Sequence, residues 1–121
     1  MSGWVWAAVA AVGGGGAIGR FLIDGGISER TGRELPYGTF VVNITGALVF
    51  GILNGLGIGG DLLVIAGTAT IGSYTTFSTW MFETHRLAED RELPRALANI
   101  AGSLLAGFLA VLAGHAIGVA L

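Results

Sequence analysis

The chain has 121 residues, 12% of them charged and 53% hydrophobic, with 22 glycines besides and a net charge of −2. It has no cysteine and no lysine, and its six basic residues are all arginine. That composition excludes a disulfide scaffold, thiol chemistry, a cysteine-ligated zinc finger, a disordered tail and a basic footprint for nucleic acid.

The charges are confined to the gaps between four stretches, 1–19, 35–60, 62–82 and 96–121, which carry none. Roughly 20 apolar residues cross a ~30 Å hydrocarbon core as a helix. The pattern predicts an all-α integral membrane protein, one domain over 1–121, with four transmembrane helices at about 4–23, 37–56, 62–83 and 95–120. A soluble helical bundle would show charges on its outer faces every three or four residues. The first stretch has neither a basic start nor a small-residue cleavage site, so it reads as a retained span and not a signal peptide. The connections, 24–36, 57–61 and 84–94, are short and place successive helices antiparallel. Four helices leave little interior for a pore, so function requires an oligomer.

Span one carries Gly13, Gly14, Gly15, Gly16 and Gly19. Small residues let membrane helices approach closely, which makes these packing surfaces, as are Gly46, Gly51, Gly102 and Gly107 in later spans. The run has no Gly-Lys-Ser/Thr and no preceding strand, so it is not a phosphate loop. Span two carries Thr39 and Asn43, four apart on one helix face, and Thr45. An asparagine in hydrocarbon must find partners. It either bonds a neighbouring helix or lines a pore as an amide donor.

Span three is unlike the others. Thr68, Thr70, Ser73, Thr75, Thr76, Ser78 and Thr79 put seven hydroxyls around Gly72. β-Branched hydroxyl residues beside glycine are poor helix material, and unwound backbone survives in a membrane only when buried in protein or lining a water-filled site. The spacing predicts a helix broken near its middle, at 72–76, whose freed carbonyls suit a small hard cation. The alternative is a continuous helix with its hydroxyls bonded to the preceding turn. Phe77 and Trp80 follow at i, i+3 on one face. They either pack against lipid and core or turn their positive ring edges toward an anion.

Span four carries Asn99 and Ser103 on one face. No span has a carboxylate in its middle, which disfavours proton-coupled cation transport. Glu83, His85 and Arg86 read as interfacial, with His115 near the far end of span four. Arg30 and Arg33 fall in the first loop, Arg86 and Arg91 in the third, and Arg20 and Arg95 flank the same side. The positive-inside rule places loops 24–36 and 84–94 in the cytoplasm and both termini outside.

GGGAIGR at 14–20, PYGTFVVNITGALVFG at 36–51 and GSYTTFSTW at 72–80 resemble, in order, the three signature blocks of the Fluc or CrcB fluoride channels. The resemblance covers essentially the whole chain. It implies a passive, fluoride-selective channel of a prokaryotic plasma membrane that exports cytoplasmic fluoride and relieves its toxicity. It also implies an antiparallel dimer with two pores along the subunit interface, and a structural Na+ held at the break by the Gly72 and Thr75 carbonyls. By motif, Asn43 matches the pore asparagine, Phe77 the first pore phenylalanine, Thr79 and Ser103 the hydroxyls beside the ion path, and Arg20 a vestibule or structural contact. Thr39 shares the Asn43 face.

Two features depart from the family pattern. Trp80 stands where phenylalanine usually recurs. The one-sided arginines predict a single fixed orientation, so the antiparallel partner is either a second copy or a paired homologous subunit of opposite orientation. Among other functions, a small multidrug exporter would resemble a pattern with an essential glutamate in span one, which is absent, and a non-conducting subunit would have no use for the hydroxyl cluster. No nucleophile–base pair or metal-ligand cluster suggests an enzyme.

Overall fold

The computed structural model describes residues 2–121; the side chains of Ala69 and Thr70, the latter one of the seven hydroxyls, lie outside the described residues. The elements are helical throughout: α1 (Gly3–Thr31), α2 (Tyr37–Gly55), a short α3 (Gly60–Leu63), a π-helical stretch (Val64–Ile71), a single turn α4 (Gly72–Tyr74), α5 (Ser78–Glu89) and α6 (Leu93–Ala120). Three of them, α1, α2 and α6, are long and apolar enough to cross a membrane.

Two expected connections are corrected. The first span was expected to end at residue 23, but α1 continues to Thr31, so most of the stretch 24–36 is helical. Charges mark where a helix leaves hydrocarbon, not where it stops. The stop comes at Gly32, whose φ of +80° favours glycine and whose N–H returns to the Ser28 carbonyl at 2.9 Å. The third connection, expected over 84–94, is likewise mostly helix: α5 runs to Glu89 and α6 begins at Leu93. The turn between them is closed by Glu92 N–H to the Leu87 carbonyl at 2.9 Å, with Arg91 in the left-handed region at φ +61°. Pro94 lies in the first turn of α6, where a missing N–H costs nothing.

The helices α2 and α6 make the most extensive pairing in the chain. Gly51 and Gly55 on α2 face Gly114 and Gly118 on α6, each pair four residues apart. A Cβ on Gly51 would strike the Val111 carbonyl, and one on Gly114 the Leu48 carbonyl. Backbone thus packs on backbone, which is how membrane helices associate where burying apolar area offers no advantage over lipid. The expectation for glycine holds for Gly13 and Gly16, which are buried, and for Gly46 and Gly51. None of the described residues approaches a Cβ placed on Gly14, Gly15 or Gly102.

The buried apolar core is small: Val5, Val42, Leu87 and Ala96. In the most apolar windows of α1 and α6 only 11% of residues are buried. Phe21, Leu104, Leu105 and Phe108 all point outward. Such surfaces suit lipid or a second subunit and not water.

Candidate functional site

The stretch that follows the π-helical segment lacks regular helix over 75–77. Thr75 has ψ 162°, which turns the chain out of the helix, and regular helix resumes at Ser78. Room for this departure comes from Gly46 on α2, where a Cβ would strike Thr75 Cγ2 and lie 3.3 Å from the Tyr74 ring. Tyr74 is also held by α2 through its hydroxyl, 2.8 Å from Thr45 Oγ1.

Asn43 binds the non-helical residue. Its Nδ2 donates to the Thr76 carbonyl at 2.9 Å, and its Oδ1 accepts the Thr76 N–H at 2.8 Å. Sequence left open whether Asn43 bonds a neighbouring segment or offers its amide to a pore. It does the first, and one Nδ2 hydrogen is left over for a further acceptor.

This pairing bears on the two carbonyls implied as cation ligands. In a continuous helix the Gly72 carbonyl would accept from the Thr76 N–H, and Thr75 from Thr79. Here the Thr76 N–H goes to Asn43 and the Thr79 N–H to Thr76 Oγ1 at 3.3 Å. Both carbonyls have lost their helical donors. A set of backbone oxygens without a carboxylate fits a hard cation of low charge, and the described residues contain no cluster of three or more His, Cys, Asp or Glu able to bind a metal.

Arg20, Thr39, Thr76 and Thr79 come together around one cavity of about 200 Å³, completed by Phe21, Asp24 and Val42. Thr39 is buried, and its Oγ1 has no well-aligned partner, although the half-buried Glu83, whose Oε1 is itself buried, lies within interaction range. Ser103 lies elsewhere. It lines a second, mostly apolar cleft of about 340 Å³ with Tyr37, Phe40, Asn99 and Gly102, and its Oγ is buried without a partner. The predicted residues therefore fall into two groups within one subunit.

Phe77 is 70% exposed, and its ring contacts that of Trp80. The two rings meet edge to face, centroids 5.8 Å apart at 79°. The Trp80 indole N–H donates to the Asn99 carbonyl at 3.2 Å. Sequence reading missed Thr84, which donates to the Trp80 carbonyl and accepts from Asn99 Nδ2, both at 2.8 Å. Its place at i+4 from Trp80 was the available signal. It also missed Asp24, which lies in the stretch 24–36 expected to be a connection, and Tyr74, which lies inside the third signature block and was given no role.

Residues 7–115 match the family described as CrcB-like protein, Camphor Resistance (CrcB). The chain is 50% identical over 111 residues to a protein of Mycobacterium bovis named fluoride-specific ion channel FluC 2, covering 92% of this chain and 88% of that one. It is 41% identical over 100 residues to a FluC 2 of Clostridium acetobutylicum, covering 83% and 86%. With a FluC 1 of Symbiobacterium thermophilum it shares 38% over 119 residues, covering 93% and 96%.

Proposed function

Because this chain belongs to the CrcB-like family, we propose that it is a fluoride-selective channel through which cytoplasmic fluoride leaves passively, down its electrochemical gradient. The observation that carries the reading is the Asn43 amide locked onto a non-helical stretch amid hydroxyl groups. Backbone of this kind persists at membrane depth only where protein buries it or it lines a path. The cavity beside it gathers the Thr39, Thr76 and Thr79 hydroxyls with Arg20 and Asp24.

Fluoride is small and strongly hydrated, so a path must replace its water with other donors. The remaining Asn43 N–H, the Thr39, Thr79 and Ser103 hydroxyls and the ring edges of Phe77 and Trp80 are such donors. None is a fixed cation that would hold the ion and slow its exit. Residues 60–89 form the third of four crossings as one interrupted helix. Two subunits lie antiparallel, so that Phe77 of one covers the Ser103 cleft of the other. This accounts for an exposed aromatic and an unpartnered buried hydroxyl at separate places in one chain. The second subunit is either another copy or a paired homologue of opposite orientation, the latter favoured by the one-sided arginines.

A Na+ ion held by the Gly72 and Thr75 carbonyls would be structural, fixing the interruption at the dimer centre without being transported. The protein sits in the bacterial inner membrane, with residues 24–36 and 84–94 toward the cytoplasm, and catalyses no reaction. Expression in a bacterium stripped of its own fluoride export tests the function. Growth in fluoride should be restored by the natural chain and not by Phe77→Ile. Equal growth with and without the chain, although it is present in the membrane, would overturn the proposal.

A further inference from the structure

Trp80 adds to the aromatic pair a donor that phenylalanine lacks. If free, its indole N–H would be one more group for an anion. It is not free, because it donates to the Asn99 carbonyl on α6. The Asn99 side chain in turn donates to Thr84 Oγ1, and Thr84 donates to the Trp80 carbonyl one turn back. The three bonds close a ring that ties two turns of α5 to one turn of α6. Thr84 is buried. The ring of Trp80 so held stands edge to face against Phe77.

We propose that Trp80, Thr84 and Asn99 form a strut that sets the orientation of the Phe77 ring, and that the indole N–H is not an ion ligand. The inference rests on the reading of Phe77 as part of the ion path. An anion meets an aromatic ring favourably only at its edge, so a path that uses one depends on ring orientation. Phe77 is exposed, and the aromatic contact it makes within its own chain is the edge-to-face one with Trp80. The strut therefore acts on the Phe77 ring through that contact. Thr84 and Asn99 are positioning residues, and the indole N–H of Trp80 positions in the same way while its ring edge stays with the path.

Removing the strut need not unfold the protein. The Asn99 carbonyl lies inside α6, where the helix supplies a second donor, so loss of the indole leaves no orphaned acceptor. The test is fluoride efflux from liposomes holding the protein, alone or with its paired subunit where conduction needs one. Trp80→Phe and Thr84→Val should each slow efflux roughly three- to tenfold, the worth of one hydrogen bond. The double variant should be no slower than Trp80→Phe alone, because both changes dismantle one device. Thr84→Ser keeps the hydroxyl and should restore the rate. In protein labelled with 5-fluorotryptophan, the ¹⁹F line that disappears in Trp80→Phe should shift in Thr84→Val, while those of Trp4 and Trp6 stay in place. Slowdowns that multiply in the double variant, or an unmoved ¹⁹F line, would overturn the strut. Natural efflux in Trp80→Phe alongside a dead Phe77→Ile would overturn it and spare the pore reading. Natural efflux in Phe77→Ile would overturn both.

Discussion

The Asn43 side chain and the Thr76 backbone bond each other in both directions, the amide donating at 2.9 Å and accepting at 2.8 Å across 33 residues of sequence. An asparagine is suited to this because one planar group carries both a donor and an acceptor. Asn43→Ala leaves the Thr76 N–H and carbonyl without partners, at about 1–3 kcal/mol for each group left unsatisfied. Asn43→Asp keeps the acceptor but sets a carboxylate oxygen against the Thr76 carbonyl. Thermal unfolding in detergent should show both variants destabilised, and both should lose most of their fluoride efflux. A variant as stable as the natural protein would contradict the lock.

The glycines on α2 and α6 should separate packing within the subunit from packing outside it. Gly114→Ala places a methyl against the Leu48 carbonyl, and overpacking of this kind costs about 1–3 kcal/mol. Gly14→Ala meets none of the described residues. Its effect on the subunit should be near zero, so any loss would register contact with a second subunit. Unfolding midpoints set beside the dimer fraction on size exclusion distinguish the two.

Arg91 sits at φ +61° in the turn between α5 and α6, a conformation that costs a non-glycine residue about 1–2 kcal/mol. Its side chain is exposed. Arg91→Gly relieves the strain but frees the unfolded chain by about 0.4–1 kcal/mol. A net gain of about 0 to 1.6 kcal/mol should appear as a raised unfolding midpoint. A fall would mean that the arginine makes a stabilising contact.

If Na+ is bound by the carbonyls at the interruption, it stabilises the folded state by mass action. The unfolding midpoint should rise with Na+ at constant ionic strength, balanced by a bulky organic cation. A midpoint indifferent to Na+ would remove the ion from the account.

Much of this architecture was legible because the membrane imposes a coarse rule. Charge-free stretches of the right length marked the helices, and seven hydroxyls around Gly72 marked the exceptional segment. Helix ends were less legible. Residues 24–31 look like a loop by charge, yet the helix continues until Gly32 supplies a positive φ. Long-range partners were not legible at all. Asn43 was bound to need a partner, but nothing in its neighbourhood names the backbone of Thr76. The pairing of Trp80 with a carbonyl of α6 likewise depends on how two helices cross, which no local pattern encodes.

The most direct test of the central claim is efflux from liposomes loaded with fluoride and chloride and containing only this purified chain, then the chain with a paired subunit. The account predicts rapid fluoride release with chloride retained in at least one of the two preparations. Folded protein that releases neither ion in both, or releases the two alike, would contradict it.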